Sequence, residues 1–225
     1  MIIKHLKGLF GGSTDEPEAG SSPGSSLTGP MGLRIGRAVS MDMMRLRLEE
    51  PKLALTLPSE TLVVSGYGTV DLGGGSTLHR FYDDNHTMLQ VLCEFGSDES
   101  SIREIMLFRP WDAVSPTSDA EWRAWDGLGA KIGSASFSAD GHVFQRVWGD
   151  PASSWINPSE FVEVVRANDG SVRQIHQKVM PYKREVGILV ENLILAVERD
   201  LSAHDRGTVT LMIGYGLQPA DVTPI

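Results

Sequence analysis

Three short motifs place an arginine and an aromatic residue two positions apart, a spacing suited to anion binding. The motifs are Arg80-x-Tyr82, Arg146-x-Trp148 and, in the reverse order, Tyr182-x-Arg184. Residues two apart on a β-strand share a face, and a guanidinium beside an aromatic ring keeps donors free for carboxylate or phosphate. If the strands are neighbours, we expect a patch that binds an anionic ligand. The alternative is cross-strand packing on a solvated sheet face.

Motifs that would assign a catalytic activity are absent from the sequence. The glycines at Gly66, Gly68 and Gly73–Gly75 are followed neither by the Lys-Ser/Thr pair of a phosphate-binding loop nor by the helix of a dinucleotide fingerprint. They favour flexible turns between strands. G-x-S-x-G is missing, and Cys93 lies on the apolar face of its strand, which is typical of an inert buried thiol. The sequence therefore predicts no catalytic residue and no cofactor.

The histidines lack the spacing of a metal site. No two share an i,i+4 helical face, H-E-x-x-H is missing, and one cysteine cannot build a thiolate cage. The nearest approach to a ligand set is His79 with Asp83 or Asp84 and His86 across one hairpin. Because the aspartates are typical turn residues, the sequence predicts no metal.

Composition and charge exclude several classes of protein. Hydrophobic residues make up 41% and charged residues 22%, as in soluble globular proteins. The formal net charge of −9 argues against nucleic acid as a partner. A single cysteine rules out an intramolecular disulfide framework. The most apolar stretch, 187–197, is interrupted by Glu191 and Asn192 and is too short to span a bilayer. These features predict a cytoplasmic protein.

The first thirty residues differ from the rest. Apolar side chains at helical spacing predict an amphipathic segment over residues 1–10, and they are Ile2, Ile3, Leu6, Leu9 and Phe10. Residues 11–30, rich in Gly, Ser and Pro, predict a disordered linker, and 31–225 a single domain. Because so short a helix is marginal alone, we expect the segment to contact a protein partner or, peripherally, the inner membrane. The alternatives are docking on its own domain or fraying.

Alternating apolar and polar residues predict strands through most of the body. The alternation is clearest over 89–95 and 209–217, where it predicts one buried face. Further strands are predicted over 61–65, 78–83, 102–109, 132–137, 142–148 and 161–166. Asp140-Gly141 and Asn168-Asp169-Gly170 predict tight hairpin turns, and 83–85 a weaker one. Hairpin connections imply antiparallel pairing.

Within the body of the chain, helix is predicted at only two places. Ser118 and Glu121 have capping-box spacing and predict a helix over 119–127, and a second is expected over 41–48. Residues 189–201 fit both helix and strand, but their position among hairpins favours a strand. The predicted fold is mainly β (α+β), with antiparallel sheets and hairpins in a sandwich- or half-barrel-like body and a few short helices.

Six short phrases, taken in order, resemble a bacterial family. They are His79–Asp84, Glu121–Trp125, Gln145–Trp148, Pro181–Arg184, Glu191–Leu195 and Thr208–Leu217. Together they resemble the YjfK-like family, a domain of unknown function, over residues 33–223. That family has no established activity, so the resemblance assigns no site residue. Its genes often neighbour those for phage-shock-protein-A-like membrane-stress proteins and for ATP-grasp enzymes resembling glutathionylspermidine synthase, which implies a class of partner.

Two functions from different classes follow from these observations. The favoured hypothesis is a non-catalytic adaptor or binding protein with unidentified protein partners, recruited by residues 1–10. The alternative is a ligand-binding protein or an enzyme of unrecognised type that holds an anion with the arginines of the three motifs. A pocket that joins these arginines with Glu163, Glu191 or a histidine would favour the alternative. A structural subunit of a larger assembly is a third hypothesis.

Overall fold

The structure, a computed structural model, describes residues 27–203 and 207–225. The predicted amphipathic segment 1–10 and most of the predicted linker 11–30 lie outside this range. At the end of the predicted linker, Gly29 and Pro30 are buried. The domain boundaries drawn from the sequence thus stay predictions.

The described residues form thirteen strands and two short α-helices. The strands are β1 (Ala38–Met41), β2 (Thr61–Val63), β3 (Gly66–Gly73), β4 (Ser76–Tyr82), β5 (Met88–Glu94), β6 (Ile102–Val114), β7 (Ser136–Ala139), β8 (His142–Arg146), β9 (Ser159–Ala167), β10 (Val172–Val186), β11 (Leu189–Asp200), β12 (Thr208–Leu217) and β13 (Val222–Pro224). The helices are α1 (Met44–Arg47) and α2 (Asp119–Trp125), and short 3-10 turns lie at Pro30–Gly32, Glu50–Lys52, Glu99–Ser101 and Pro219–Asp221.

Eight of the described strands close into an antiparallel barrel. It consists of two four-stranded meanders, β3-β4-β5-β6 and β9-β10-β11-β12. Pairing of β6 with β12 and of β3 with β9 joins the meanders along both edges, and such closure removes unpaired sheet edges. The β7–β8 hairpin pairs with the later part of β10, and β13-β1-β2 form a separate three-stranded sheet. The predicted antiparallel, mainly β fold is confirmed.

Both faces of the barrel wall carry buried residues. The large apolar core lies on the outer face, where Val39 and Met41 of β1 cluster with Leu89 and Val91 of β5. The inner face lines a lumen that holds smaller apolar clusters and a polar network. All residues from Met88 to Cys93 are therefore buried. The expectation of a single buried face is wrong for β5, because closure encloses its second face as well.

Secondary structure that depends on a short stretch of sequence agrees with the prediction for β11 and for helix α2. Residues 189–201 form a strand, β11, as the hairpin context predicted. Helix α2 begins after Ser118, whose hydroxyl accepts a hydrogen bond from the Glu121 N–H. The helix expected over 41–48 is shorter, since Met41 belongs to β1. Of the strand expected over 132–137, only residues 136 and 137 belong to β7.

Strand β3 overturns the interpretation of its glycines. Gly66 and Gly68 lie within the strand and not in a turn, whereas Gly73–Gly75 do form the turn between β3 and β4. The predicted turns at Asp140-Gly141 and 168–170 also form, with positive φ at Asp140, Gly141 and Gly170. No helix in the described ranges has the length and apolar character needed to cross a bilayer.

Candidate functional site

The barrel lumen contains a cavity of about 90 Å³. Its wall is mostly apolar and includes Leu78, Leu92, Met106, Phe108, Phe161 and Ile194. Val147 and Trp148, which follow β8, contribute to the same wall. Polar side chains on the wall include Arg80, Gln90, Glu104 and Asn192. A mostly apolar cavity with a few polar groups is typical of a small-molecule site.

Arg80 lies at the centre of a buried polar network in this lumen. Its Nε donates to Gln90 Oε1 at 2.9 Å, and its Nη1 donates to Glu163 Oε2 at 2.7 Å and to Gln177 Oε1 at 2.8 Å. The Tyr82 hydroxyl donates to Glu163 Oε1 at 2.6 Å. These contacts link β4 to β5, β9 and β10. They show that the side chains converge inside the barrel.

Glu198 of β11 completes the network. Gln177 Nε2 donates to Glu163 Oε2 at 2.9 Å and to Glu198 Oε1 at 3.2 Å. One amide group thus holds two carboxyl groups near each other. The lumen network is defined here as Arg80, Tyr82, Gln90, Glu163, Gln177 and Glu198.

Charge pairing makes the burial of Arg80 and Glu163 tolerable. Their side chains are 4% and 1% exposed, and isolated charges at such depth would be very unfavourable. Burial opposes the charge on Arg80, but the Glu163 carboxylate offsets this effect and raises the pKa of Arg80. Burial, followed by the negative charge of Glu163, raises the pKa of Glu198. The network therefore favours the charged form of Arg80 and disfavours a second carboxylate at Glu198.

Gly68 of β3 makes room for this pair. Strand β3 lies between β4, which carries Arg80, and β9, which carries Glu163. A Cβ added to Gly68 would lie 1.9 Å from Glu163 Oε1. Because the residue has no side chain, Glu163 reaches across β3 to Arg80. A close approach, and not a turn, is the reason for glycine here.

The structure brings only part of the predicted arginine–aromatic set together. Arg80 and Tyr82 share the lumen network, and the half-buried Trp148 lines the cavity beside them. The Arg146 side chain instead makes its hydrogen bonds to backbone carbonyl groups. Its guanidinium donates to the carbonyl oxygens of Gly133, Trp148, Asp150 and Ser153, at distances from 2.7 to 3.0 Å. Arg146 therefore orders the loops around β8.

Tyr182 and Arg184 lie on the outer face of β10. Tyr182 is fully buried, and its hydroxyl accepts a hydrogen bond from the Gly133 N–H at 3.1 Å. Arg184 Nε donates to Glu191 Oε2 at 2.5 Å, and its guanidinium lies 5.5 Å from the centre of the Phe144 ring. Tyr182 is paired with Arg146 across β10 and β8, as neighbouring strands allow. The six residues nevertheless do not form one patch, because barrel closure separates the inner and outer faces.

His79, Asp83 and Cys93 make contacts that stabilise the fold. His79 Nδ1 lies 2.7 Å from the Tyr67 hydroxyl, and burial lowers the pKa of His79. Asp83 accepts hydrogen bonds from the backbone N–H groups of Asn85 and Thr87, as expected of a turn residue. Burial raises the pKa of the Cys93 thiol to about 11. Within the described ranges, no three His, Cys, Asp or Glu side chains are grouped to hold a metal.

Part of the lumen network escaped the sequence analysis. Glu163 and Glu191 are the expected pocket partners of the arginines, and each pairs with one of them. Gln90, Gln177 and Glu198 are not identified as site residues by the sequence analysis. One feature of the sequence indicates the network: Gln90 is a polar residue with apolar residues on both sides in β5. Its position indicates a strand buried on both faces, one of which faces a polar interior.

The fold and the site define an antiparallel β-barrel protein with an internal cavity and a buried arginine network. A family model described as "Protein of unknown function (DUF2491)" matches residues 5–223, so the chain belongs to this family. The "Uncharacterized protein YjfK" of Escherichia coli (strain K12) is 28% identical over 159 residues, which cover 70% of this chain and 72% of that protein. No solved structure matches this chain. The predicted family resemblance is confirmed, and the match begins earlier than residue 33.

Proposed function

We propose that this chain is a non-catalytic binding protein whose barrel lumen receives a small ligand. The observation that supports this most directly is the mostly apolar cavity of about 90 Å³, next to buried polar groups that can orient a bound molecule. An apolar cavity of about 150 Å³ in another protein binds benzene, so the smaller cavity here suits a smaller molecule. The charged groups of the lumen network are paired with one another, which suits a binding site that is formed before the ligand arrives.

A substitution that fills the cavity is expected to abolish this binding. Val179 of β10 lines the cavity, so Val179→Phe should weaken the binding of cyclopentane and cyclopentanone about tenfold or more. Binding is measured from shifts of the Trp148 indole resonance in NMR spectra. Val162→Phe on β9 is the matched control, because Val162 is 39% exposed on the outer face.

The same titration can contradict the proposal. Wild-type protein that shows no saturable shift with either probe does not bind small molecules in its lumen. Equal weakening by Val179→Phe and Val162→Phe would place the effect outside the cavity.

The three-arginine anion site is not part of this proposal. Arg146 donates to backbone carbonyls, Arg184 pairs with Glu191, and Arg80 pairs with Glu163. Each guanidinium is thus already committed to partners within the protein. An anion at Arg80 or Arg184 would meet the negative charge of the partner glutamate, and an anion at Arg146 would have to displace carbonyl oxygens.

An adaptor role through residues 1–10 is a second proposal, supported by the apolar side chains at helical spacing in that segment. It includes a cytoplasmic location, a protein partner or peripheral contact with the inner membrane, and a link to membrane-stress systems. Deletion of residues 1–12 should remove the chain from its partner or from the membrane fraction, as measured by pull-down and cell fractionation in the native host. Deletion of 13–24 within the linker is the matched control. Unchanged partners and fractionation after the first deletion would contradict the role.

A further inference from the structure

Two donor groups of the lumen network have no acceptor in the described chain. Arg80 donates through Nε and Nη1, and Gln90 uses only its Oε1. Arg80 Nη2 and Gln90 Nε2 therefore donate to no atom of residues 27–203 and 207–225. Both side chains line the cavity, and both residues are only 3–4% exposed. Neither nitrogen is among the fully enclosed side-chain atoms without a partner, so both reach the cavity and can donate to a molecule bound there.

The charge around the cavity selects against an anion. Arg80 is met by the carboxylate of Glu163 at 2.7 Å, and Glu198 lies on the far side of Gln177. Glu104 adds another carboxyl group to the cavity wall. Because Glu163 already pairs with Arg80, an anion would lose its hydration without gaining an unpaired positive partner. A cation would approach the buried guanidinium of Arg80, so it is disfavoured as well.

The remaining wall limits the size and polarity of the ligand. The apolar side chains of β4, β5, β6 and β9 offer no further charged partner to a ligand body. A cavity of about 90 Å³ accommodates one small ring or a short branched chain. The ligand body should therefore be compact and apolar.

We propose that the lumen binds a small uncharged molecule with an apolar body and one acceptor oxygen, such as a ketone, an amide or an ether. The oxygen accepts hydrogen bonds from Arg80 Nη2 and Gln90 Nε2. This inference rests on the proposed function, because it assigns a ligand class to the same cavity.

The test compares probes of similar size and different polarity. Cyclopentanone, cyclopentane, isobutyrate and isobutylamine are titrated into the full chain, and the shift of the Trp148 indole resonance gives each dissociation constant. Cyclopentanone should bind about fivefold tighter than cyclopentane, as one net hydrogen bond provides. Both charged probes should bind more weakly than cyclopentanone.

Two substitutions connect that preference to the proposed donors. Gln90→Met removes one donor, so the preference for cyclopentanone should fall to about twofold or less. Asn192→Leu is the matched control, because Asn192 lines the cavity but its Nδ2 already lies 3.4 Å from the acceptor carbonyls of Val190 and Gly214. If Gln90→Met does not fold, Gln90→Glu replaces it, since glutamate keeps the acceptor for Arg80 Nε.

The outcomes separate this inference from the proposed function. Equal binding of cyclopentane and cyclopentanone, or tighter binding of a charged probe, would overturn the ligand class and leave a binding lumen. An undiminished ketone preference in a folded Gln90 variant would overturn the assigned donors. Failure of every probe to bind would remove the proposed function itself.

Discussion

Replacement of Glu163 by alanine is expected to lower the free energy of unfolding by about 3–5 kcal/mol. The substitution leaves the guanidinium of Arg80 buried, 4% exposed, without its carboxylate partner. It also removes the acceptor of the Tyr82 hydroxyl and of the Gln177 amide. Urea denaturation measures the loss. The effect is large because a buried charge without a partner keeps its full desolvation penalty.

The matched control for Glu163 is Glu160 on the same strand. Glu160 is exposed, and its contacts with His176 and Lys178 lie at the surface. Glu160→Ala should therefore change the free energy of unfolding by less than about 1 kcal/mol. Equal effects of the two substitutions would show that the Arg80–Glu163 pair does not stabilise the barrel. As a second measurement, the pKa of Glu198 should fall in Glu163→Ala, because one cause of its rise, the charge of Glu163, has been removed.

Gly68→Ala is expected to lower the free energy of unfolding by about 2–4 kcal/mol. The added Cβ would lie 1.9 Å from Glu163 Oε1, so the carboxylate has to leave its position beside Arg80 and Tyr82. The cost combines steric overlap with weakened charge-assisted hydrogen bonds. Urea denaturation of the folded variant provides the measurement.

Gly66→Ala is the control on the same strand. Its added Cβ would come no closer than 3.6 Å to any neighbouring atom, an ordinary contact, so its effect should stay within about 1 kcal/mol. A double-mutant cycle adds a stricter test: in a Glu163→Ala background, Gly68→Ala should cost much less than in the wild type. Additive costs in that cycle would contradict the proposed steric conflict between Gly68 and Glu163.

The strands were predictable wherever their signal was local. In β12, apolar residues alternate with threonine and glycine from Thr208 to Leu217, and the alternation alone identifies the strand and its buried face. The Asp140-Gly141 turn likewise depends on two residues that tolerate positive φ. Strand β3 is not predicted because its glycines resemble turn residues, and the reason for glycine at Gly68 is the side chain of Glu163, almost a hundred positions away.

Only some of the site residues were predictable from the sequence. Residue type and spacing identify Arg80, Tyr82 and Glu163 as candidate site residues, but the same criteria also select Arg146 and Arg184, which lie elsewhere. Residues two positions apart on a strand have side chains on the same face of that strand. Whether that face turns into the lumen or outward depends on how the barrel closes, through the pairings of β3 with β9 and of β6 with β12.

The sequence by itself determined the family, the antiparallel strands, their hairpins and helix α2, because these depend on short-range periodicity, turn residues and ordered motifs. Only the tertiary structure decided that the strands close on themselves, which face becomes the interior, and that residues from five strands meet around Arg80. The physical reason is that alternation divides each strand into two faces without assigning either to the inside. Closure makes that assignment, through the pairings of β3 with β9 and of β6 with β12.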